Sequence, residues 1–430
     1  MAQIRPFAAV HPAAGYERRV AALPYDVVTR AEAEEIVRKE PLSFLHIDRA
    51  ETWFDRTVDT YDDRVYAKAR ETYRKMLADG IYVRDEKPAY YLCEITMDGH
   101  TQTGIAALAS VDDYLSGEVR THEDTRLEKE QDRIRHIGRV GAQTGPILLA
   151  CRAGKSLRER IAAIRERKQP ACDFVSGDGI RHRVFRVDDP EDIRAITEGV
   201  RDAGTLYIAD GHHRAASAVK VALMRRKENP GYTGNEEYNV FLSVIFPEDE
   251  LRIFPYNRAV KDLGGMTAEE FLTKIRASFE ILRRVPAGEI AGPDRPGDGR
   301  IPEKKGEICM LLDGLWYTLR AKPEILREDD PVAALDVSIL QDNLLGPVLG
   351  IRDPRTDTRI RFVEGLRGTD ELMAEISHGF RVAFSMMPTS MGELLRVADA
   401  REKMPPKSTC FEPKLRSGLL IHDLEEPRTK

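Results

Sequence analysis

The chain has 430 residues, of which 42% are hydrophobic and 32% charged, and its formal net charge is -6. That much apolar surface offsets the entropy of ordering and excludes wholesale disorder, while the acidic balance argues against a nucleic-acid partner. No run of about 18 apolar residues predicts a membrane span, and the N-terminal residues lack the apolar core of a signal peptide.

The cysteines indicate the cellular compartment. They stand at Cys93, Cys151, Cys172, Cys309 and Cys410, an odd number without CxxC spacing. The set is typical of buried thiols in a reducing setting rather than of a disulfide framework or a zinc ribbon. We therefore expect a cytoplasmic protein.

Predicted helices and strands alternate along the first half of the chain. Thr29 and Glu32 form a capping-box pattern, and the apolar spacing of residues 60–78 predicts a helix. Apolar runs on both sides of Asp98-Gly99 predict a β-hairpin. The highly charged residues 112–145 predict either an exposed helix or a loop over a site.

The second half continues the alternation. Thr267 caps a predicted helix whose apolar face runs from Phe271 to Phe279 and Leu282, and Asp313-Gly314 predicts a second hairpin. The whole pattern predicts a mixed α/β, or α+β, fold.

The domain organisation is predicted from one break in composition. Residues 286–306 are rich in proline, glycine and charge, which is typical of a linker or long loop. We therefore predict a catalytic phosphate-binding region over 1–285 and a C-terminal α+β region over 307–430. The latter is expected to return to the site through residues 404–414.

The stretch LYIADGHHRAASAVK, residues 206–220, carries the clearest chemistry. A buried strand is predicted to end at Asp210, and a helix to begin at about His213 after a turn at Gly211. Helix N-termini bind phosphate, glycine permits close approach, and Arg214 grips phosphate oxygens. The two histidines, His212 and His213, are candidate proton carriers, and Asp210 is a candidate Mg²⁺ ligand or base.

Two other interpretations of this stretch stay open. One is a plain strand-to-helix turn capped by Asp210, with incidental histidines. The other is a zinc site, which is weaker because adjacent histidines on a helix point about 100° apart and no HExxH motif is present.

THEDTR, residues 121–126, is the second candidate motif. A kinase needs a carboxylate beside the acceptor hydroxyl, for which Glu123 is the first candidate and Asp124 the second. His122 and Arg126, with Arg120, are candidate partners of phosphate or of a substrate carboxylate. The alternative is a solvated face of mixed charge.

Three further segments hold candidate binding residues. Asp48 lies two residues after His46, so the two share a face if the segment is a strand. Asp26 lies two residues after Pro24, and the alternative for that segment is a turn capped by the aspartate. The proline-stiffened tail places a lysine and two hydroxyls together as a candidate phosphate-binding loop, Lys407, Ser408 and Thr409. The alternative for the tail is an extended wrap over the core.

These motifs carry a family resemblance. ADGHHR followed by AASA resembles the phosphate-binding box of the ParB/sulfiredoxin-like superfamily, although His212 stands where sulfiredoxin has a cysteine and no basic helix-turn-helix follows as in ParB. The remaining relatives are free serine kinases. Over nearly its whole length the chain resembles domain-of-unknown-function family 1015, through the motifs PYDV (24–27), HID (46–48), THEDT (121–125), ADGHHR (209–214) and MPPKSTCFEPK (404–414).

The resemblance implies a phosphotransferase that makes O-phosphoserine from free L-serine. Pyrophosphate or a nucleotide, ATP or ADP, is the implied donor, and Mg²⁺ the expected cofactor. The alternative is a ParB-like nucleotide-binding regulator without small-molecule kinase activity, and a hydrolase using the histidine pair is a third. The sequence predicts no oligomeric state.

Overall fold

The chain divides into two units in a computed structural model that describes residues 1–290 and 292–425. The first unit comprises residues 1–251 and the segment that begins at Pro413, and the second comprises Arg252–Glu412. The second unit is thus inserted between two parts of the first.

The elements of the first unit are numbered in chain order. Its helices are α1 (Glu17–Val20), α2 (Arg30–Lys39), α3 (Leu45–Asp48), α4 (Asp63–Ala78), α5 (Val111–Ser116), α6 (Leu127–Val140), α7 (Lys155–Arg167), α8 (Pro190–Ala203) and α9 (His212–Glu228). Its strands are β1 (Ile4–Arg5), β2 (Val10–Pro12), β3 (Tyr82–Arg84), β4 (Tyr90–Met97), β5 (His100–Ser110), β6 (Val119–Arg120), β7 (Ala142–Gln143), β8 (Ile147–Cys151), β9 (Cys172–Val175), β10 (Arg181–Val187), β11 (Leu206–Asp210) and β12 (Val240–Pro247), with β21 (His422–Asp423) from the returning segment.

The second unit continues the numbering. Its strands are β13 (Ile253–Phe254), β14 (Tyr256–Val260), β15 (Phe279–Pro286), β16 (Glu307–Leu312), β17 (Leu315–Ala321), β18 (Ile360–Glu364), β19 (Val382–Ser385) and β20 (Cys410–Phe411). Its helices are α10 (Ala268–Ile275), α11 (Asp336–Leu340), α12 (Asp370–Ser377) and α13 (Met391–Asp399).

A nine-stranded sheet organises the first unit. Its order is β6-β11-β8-β12-β5-β4-β10-β9, and β1 pairs with β5. The pairs β11–β6 and β12–β8 are parallel, whereas β11 and β8 run antiparallel. The sheet is therefore mixed, and it carries β11 with the DGHHR turn near one edge.

Both predicted hairpins form. Asp98 and Gly99 have φ of 50° and 76°, and Asp313 and Gly314 have φ of 50° and 73°. Two consecutive left-handed residues suit the twist of antiparallel strands, and Asp-Gly adopts them at low cost. The first turn joins β4 to β5 and the second joins β16 to β17.

Two apolar cores stabilise the first unit. One lies against the nine-stranded sheet and includes Leu149, Ile208 and Phe241, all fully buried. The other packs α2, α3 and α4 around residues such as Phe44 and Tyr73. The predicted capping box at Thr29 forms at the start of α2 and contributes about 1 kcal/mol.

The second unit is built on a six-stranded sheet of order β15-β17-β16-β19-β14-β18. Its core includes Trp316, whose side chain is fully buried. The mixed α/β fold predicted from the sequence is confirmed. Within the described ranges, no helix combines the length and apolarity that crossing a bilayer requires.

Two local predictions differ from the structure. The helix predicted after Thr267 ends at Ile275, and Phe279 and Leu282 belong to β15. Pairing with β17 and the β-branched residues Ile281 and Val285 favour a strand there. The HID segment is helical, forming α3, because its apolar residues pack into a helix cluster.

The structural border also differs from the predicted one. The predicted division used residues 286–306, but this segment connects β15 to β16 within a single sheet of the second unit. The borders between the units instead fall after Leu251 and after Glu412 in the sequence. Composition marks a surface loop here, since loops and linkers share the same residue types.

Candidate functional site

The turn between β11 and α9 forms as the sequence predicts, with α9 beginning at His212. Gly211 has φ of 94° and ψ of 31°, a left-handed conformation that favours glycine. A Cβ at this position would lie 3.1 Å from Nε and Cζ of Arg214. Glycine therefore lets the backbone turn and also leaves room for the arginine.

Arg214 is the centre of the site. Its guanidinium donates to Oδ2 of Asp210 at 3.1 Å and to the carbonyl of Pro146, while its buried Nε has no hydrogen-bond partner. Burial disfavours the charge, but the carboxylates of Asp210, Asp26 and Asp48 and the Tyr25 hydroxyl raise the pKa of Arg214. The side chain is thus a fixed buried cation.

The THEDTR motif contacts both His212 and His213. The backbone N–H of His122 donates to Nε2 of His212 at 3.4 Å, and Nδ1 of His212 lies 3.6 Å from Oε2 of Glu123. The imidazoles of His122 and His212 meet edge to face, with ring centroids 4.5 Å apart. Because Nε2 accepts, a neutral His212 carries its proton on Nδ1, which faces Glu123.

His213 holds the other end of the same motif. Its Nε2 accepts a hydrogen bond from the backbone N–H of Arg126 at 2.9 Å. Burial lowers its pKa, which favours the neutral ring that this bond requires. The predicted motifs at 121–126 and 210–214 are therefore one local structure.

Beyond the turn, Arg214 lines a recess with about 450 Å³ of empty space. Of the predicted site residues, Asp48 also lines it, and Pro24 and Tyr25 of the PYDV motif form part of its wall. Oδ1 of Asp48 accepts a hydrogen bond from Thr144 at 2.7 Å. Segments far apart in the chain thus converge on one recess.

Arg133 is a second buried cation in this recess, which sequence reasoning missed. It donates to Asp132 at 2.9 Å through Nε and stacks over the ring of Tyr25 at 3.9 Å. Burial opposes its charge, but Asp132 is the main group that raises the pKa of Arg133 above its usual value. Two arginines thus face the same space.

His136, Thr144 and Ser417 also line the recess and were not predicted. Nε2 of His136 lies 3.8 Å from Oδ1 of Asp48 and 3.0 Å from the carbonyl of Ile47. Burial is the main cause that lowers the pKa of His136. One signal existed in the sequence, since Arg133 and His136 are spaced i, i+3 beside apolar Ile137 on a single helix face.

A second recess, of about 360 Å³, shares a wall with the first. Tyr25, Asp48, Arg133 and His136 line both of them. The second recess adds a buried ion pair, in which Nε of Arg49 lies 2.7 Å from Oε1 of Glu51. The two spaces adjoin each other around Tyr25 and Asp48.

The remaining predicted residues lie elsewhere. Asp26 and Asp124 are exposed, although the charge of Asp26 reaches both His213 and Arg214. The tail residues Lys407, Ser408 and Thr409 belong to the second unit. Their role in phosphate binding at the Arg214 recess stays a prediction. The segment that returns to the first unit begins at Pro413 and brings Ser417 to the recess.

The placement of potential metal ligands bears on the zinc interpretation. Over residues 1–290 and 292–425, no cluster of three or more histidine, cysteine, aspartate or glutamate side chains is arranged to hold a metal ion. A zinc site on the histidine pair therefore lacks ligands, since structural and catalytic zinc needs at least three protein ligands.

The fold and the motifs define a family. The model of the family described as "Protein of unknown function (DUF1015)" matches residues 4–338. The chain belongs to this family, which confirms the resemblance seen in the sequence motifs. No curated protein matches the chain.

Several solved structures resemble the chain at low identity. A free serine kinase in complex with AMP is 14% identical, with a TM-score of 0.33 over 74% of this chain and 91% of that one. A conserved hypothetical protein from Pyrococcus furiosus is 13% identical, with a TM-score of 0.32 over 74% and 94%. SbnI from Staphylococcus aureus, truncated at its C-terminus, is 13% identical, with a TM-score of 0.35 over 75% and 90%.

Proposed function

We propose that the protein is a cytoplasmic phosphotransferase that phosphorylates the hydroxyl of free L-serine. The observation that carries the proposal is the recess in which two buried arginines, Arg133 and Arg214, face one polar space at the DGHHR turn. Guanidinium groups bind phosphate through paired N–H donors, and burial strengthens the interaction. Arg214 also keeps a buried Nε without a hydrogen-bond partner, so the side chain has unused donor capacity beside the recess.

The turn supplies further donors for a phosphate. No side chain caps the first turn of α9, so its N-terminal N–H groups are not consumed by an N-cap residue. Gly211 and Gly145 keep the backbone close to Arg214, since a Cβ on either would lie within 3.7 Å of that side chain. We place the donor phosphates here.

Glu123 is our candidate for the base. Its carboxylate is about a third exposed and lies beside His212, which orients it. In the proposed step, the serine Oγ attacks the terminal phosphorus of pyrophosphate, ATP or ADP. The new O–P bond forms as the bond to the leaving phosphate or nucleotide breaks, and the hydroxyl proton passes to Glu123.

Mg²⁺ fits this scheme in a limited way. Kinase magnesium is usually held by one or two carboxylates and the substrate phosphates, so a three-ligand protein cluster is not needed. Asp210 stands at the turn and would be that carboxylate, although it already accepts from Arg214. The ion would neutralise charge on the phosphates.

The test is product formation. The full chain is incubated with Mg²⁺ and L-serine and, separately, with pyrophosphate, ATP or ADP, and phosphorus NMR follows O-phosphoserine. We expect product with at least one donor, and Arg133→Ala should reduce its rate by at least about tenfold. Arg139→Ala, at an exposed position of the same helix, is the matched control.

Two results would contradict the proposal. One is the absence of O-phosphoserine with every donor while nucleotide binding persists, which would favour the ParB-like regulator. The other is equal loss of rate in Arg133→Ala and Arg139→Ala, which would point to general destabilisation. A Glu123→Gln variant that kept the wild-type rate and pH profile would remove that residue from the mechanism.

A further inference from the structure

The second unit has a recess of its own, with about 710 Å³ of empty space. Three arginines line it: Arg258 from β14, and Arg352 and Arg355 from the loop before β18. Phe362 and Pro405 form apolar parts of its wall. All of its lining residues belong to the second unit.

Arg258 is buried without a counterion. Its side chain is about 3% exposed, and its guanidinium donates to the carbonyls of Tyr256 and, at 3.0 Å, of Lys407. It also lies over the ring of Phe362, 5.2 Å from the centroid. Among the side chains that the structure describes, no carboxylate lies within 4.0 Å of this guanidinium.

A buried charge of this kind is costly unless something compensates for it. Burial lowers the pKa of Arg258 to about 9, and among the described side chains the hydroxyl of Tyr256 is what opposes the shift. The bonds to these two carbonyls use two of the five N–H donors that an arginine carries. Donors and charge are therefore left for a ligand.

The rim of the recess adds to the positive charge. Arg352 and Arg355 are exposed, and Arg355 pairs with Asp353, with 3.3 Å between Nε and Oδ1. Three guanidinium groups and one carboxylate line the recess, which leaves an excess of two positive charges. An excess of two matches a dianion.

We propose that this recess binds a small phosphate monoester, with its phosphate on the arginines and its organic part against Phe362 and Pro405. Planar guanidinium groups match phosphate oxygens in pairs, and an aromatic ring beside them suits a base or another flat group. The volume is in the range of small-molecule sites. The proposal does not depend on the activity assigned to the first unit.

The experiment is titration calorimetry of the full chain with AMP and, separately, with inorganic phosphate at fixed ionic strength. We expect AMP binding that persists in Arg214→Met and weakens by about a hundredfold in the double variant Arg352→Ser/Arg355→Ser, about tenfold for each arginine. The double variant Arg327→Ser/Arg367→Ser changes the charge equally at exposed positions outside the recess and should bind as wild type.

The arms of the titration separate the sources of phosphate. Tighter binding of AMP than of phosphate supports a monoester site, and equal binding of both overturns the part assigned to Phe362. No binding of either ligand, or equal loss in the two double variants, overturns the proposal. The rim variants are used because Arg258 also ties β14 to the Lys407 turn, so its replacement would change the local structure of the recess as well as its charge.

Discussion

Arg214 in the first unit and Arg258 in the second are both buried arginines that line a recess, but their charges are balanced differently. Arg214 has Asp210 at 3.1 Å and a raised pKa, whereas the described hydrogen-bond partners of Arg258 are carbonyls and its pKa is lowered. The charge of Arg214 is compensated by a carboxylate of the protein. The comparison shows two kinds of buried arginine: at Arg214 a bound phosphate would share the cation with Asp210, whereas at Arg258 a ligand would supply the counterion.

The largest expected effect separates these two arginines. Arg214→Met removes the guanidinium that pairs with Asp210 and donates to the Pro146 carbonyl, so the free energy of unfolding should fall by about 3 kcal/mol, the low end for breaking a buried pair because Asp210 is about a third exposed. Arg258→Met removes an uncompensated charge, and its loss should stay below about 2 kcal/mol. Denaturant unfolding of each variant measures both values.

The two tryptophans assign the transitions to units. Trp53 lies in the first unit and Trp316 in the second, so Trp53→Phe and Trp316→Phe backgrounds each report on one unit by fluorescence. Equal losses in the free energy of unfolding for Arg214→Met and Arg258→Met would contradict the comparison. A greater loss at Arg258 would show that its carbonyl contacts matter more than its charge.

A second prediction concerns pH between 6.5 and 5, above the range where ordinary carboxylates titrate. Burial lowers the pKa of His422 in the first unit to about 4. As pH falls through this window the unfolded chain binds a proton that the folded unit does not, so this group alone should cost the first unit about 2 kcal/mol, and the buried His46 and His182 add losses of the same sign. His422→Gln, which keeps a donor for the Glu237 carbonyl, should reduce this slope.

The second unit should respond in the opposite direction. Burial raises the pKa of Asp336 to about 6, so below pH 6 the folded unit binds a proton that the unfolded chain does not. The second unit should gain about 1 kcal/mol between pH 6 and 5 from this group. Asp336→Asn should abolish the gain, and an unchanged slope in that variant would refute the assignment.

The smallest effect tests the glycine of the turn. Gly211→Ala and Gly179→Ala each place an alanine at positive φ and should each cost about 1 kcal/mol. Only at Gly211 would the new Cβ contact Arg214, because Gly179 faces open space. Phosphoryl transfer should therefore fall in Gly211→Ala alone, and a matched fall in Gly179→Ala would indicate a stability effect.

Local sequence signals predicted the elements that local physics determines. The Asp-Gly hairpins, the capping boxes and the β11–Gly211–α9 turn follow from conformational preferences of a few neighbouring residues. Phe279 and Leu282 were misplaced because strand pairing with distant β17 decides their structure. Contacts across the chain are not visible in local patterns.

The candidate site was predictable only where its residues lie in short, distinctive motifs. Asp48, Arg214, His212 and Glu123 stood out because they lie in short, unusual motifs. Arg133 did not, since it lies in a charge-dense helix where surface and buried arginines look alike. The i, i+3 spacing of Arg133 and His136 hints at one face of α6, and the fold shows that this face is turned inward.

The insertion of the second unit has a consequence for biosynthesis. Ser417, which lines the Arg214 recess, follows the whole inserted unit in the chain. Because chains emerge from the ribosome N-terminus first, the recess stays open on one side until residues 252–412 have been made. A premature stop anywhere in that stretch yields a first unit with every DGHHR residue present and its binding wall unfinished.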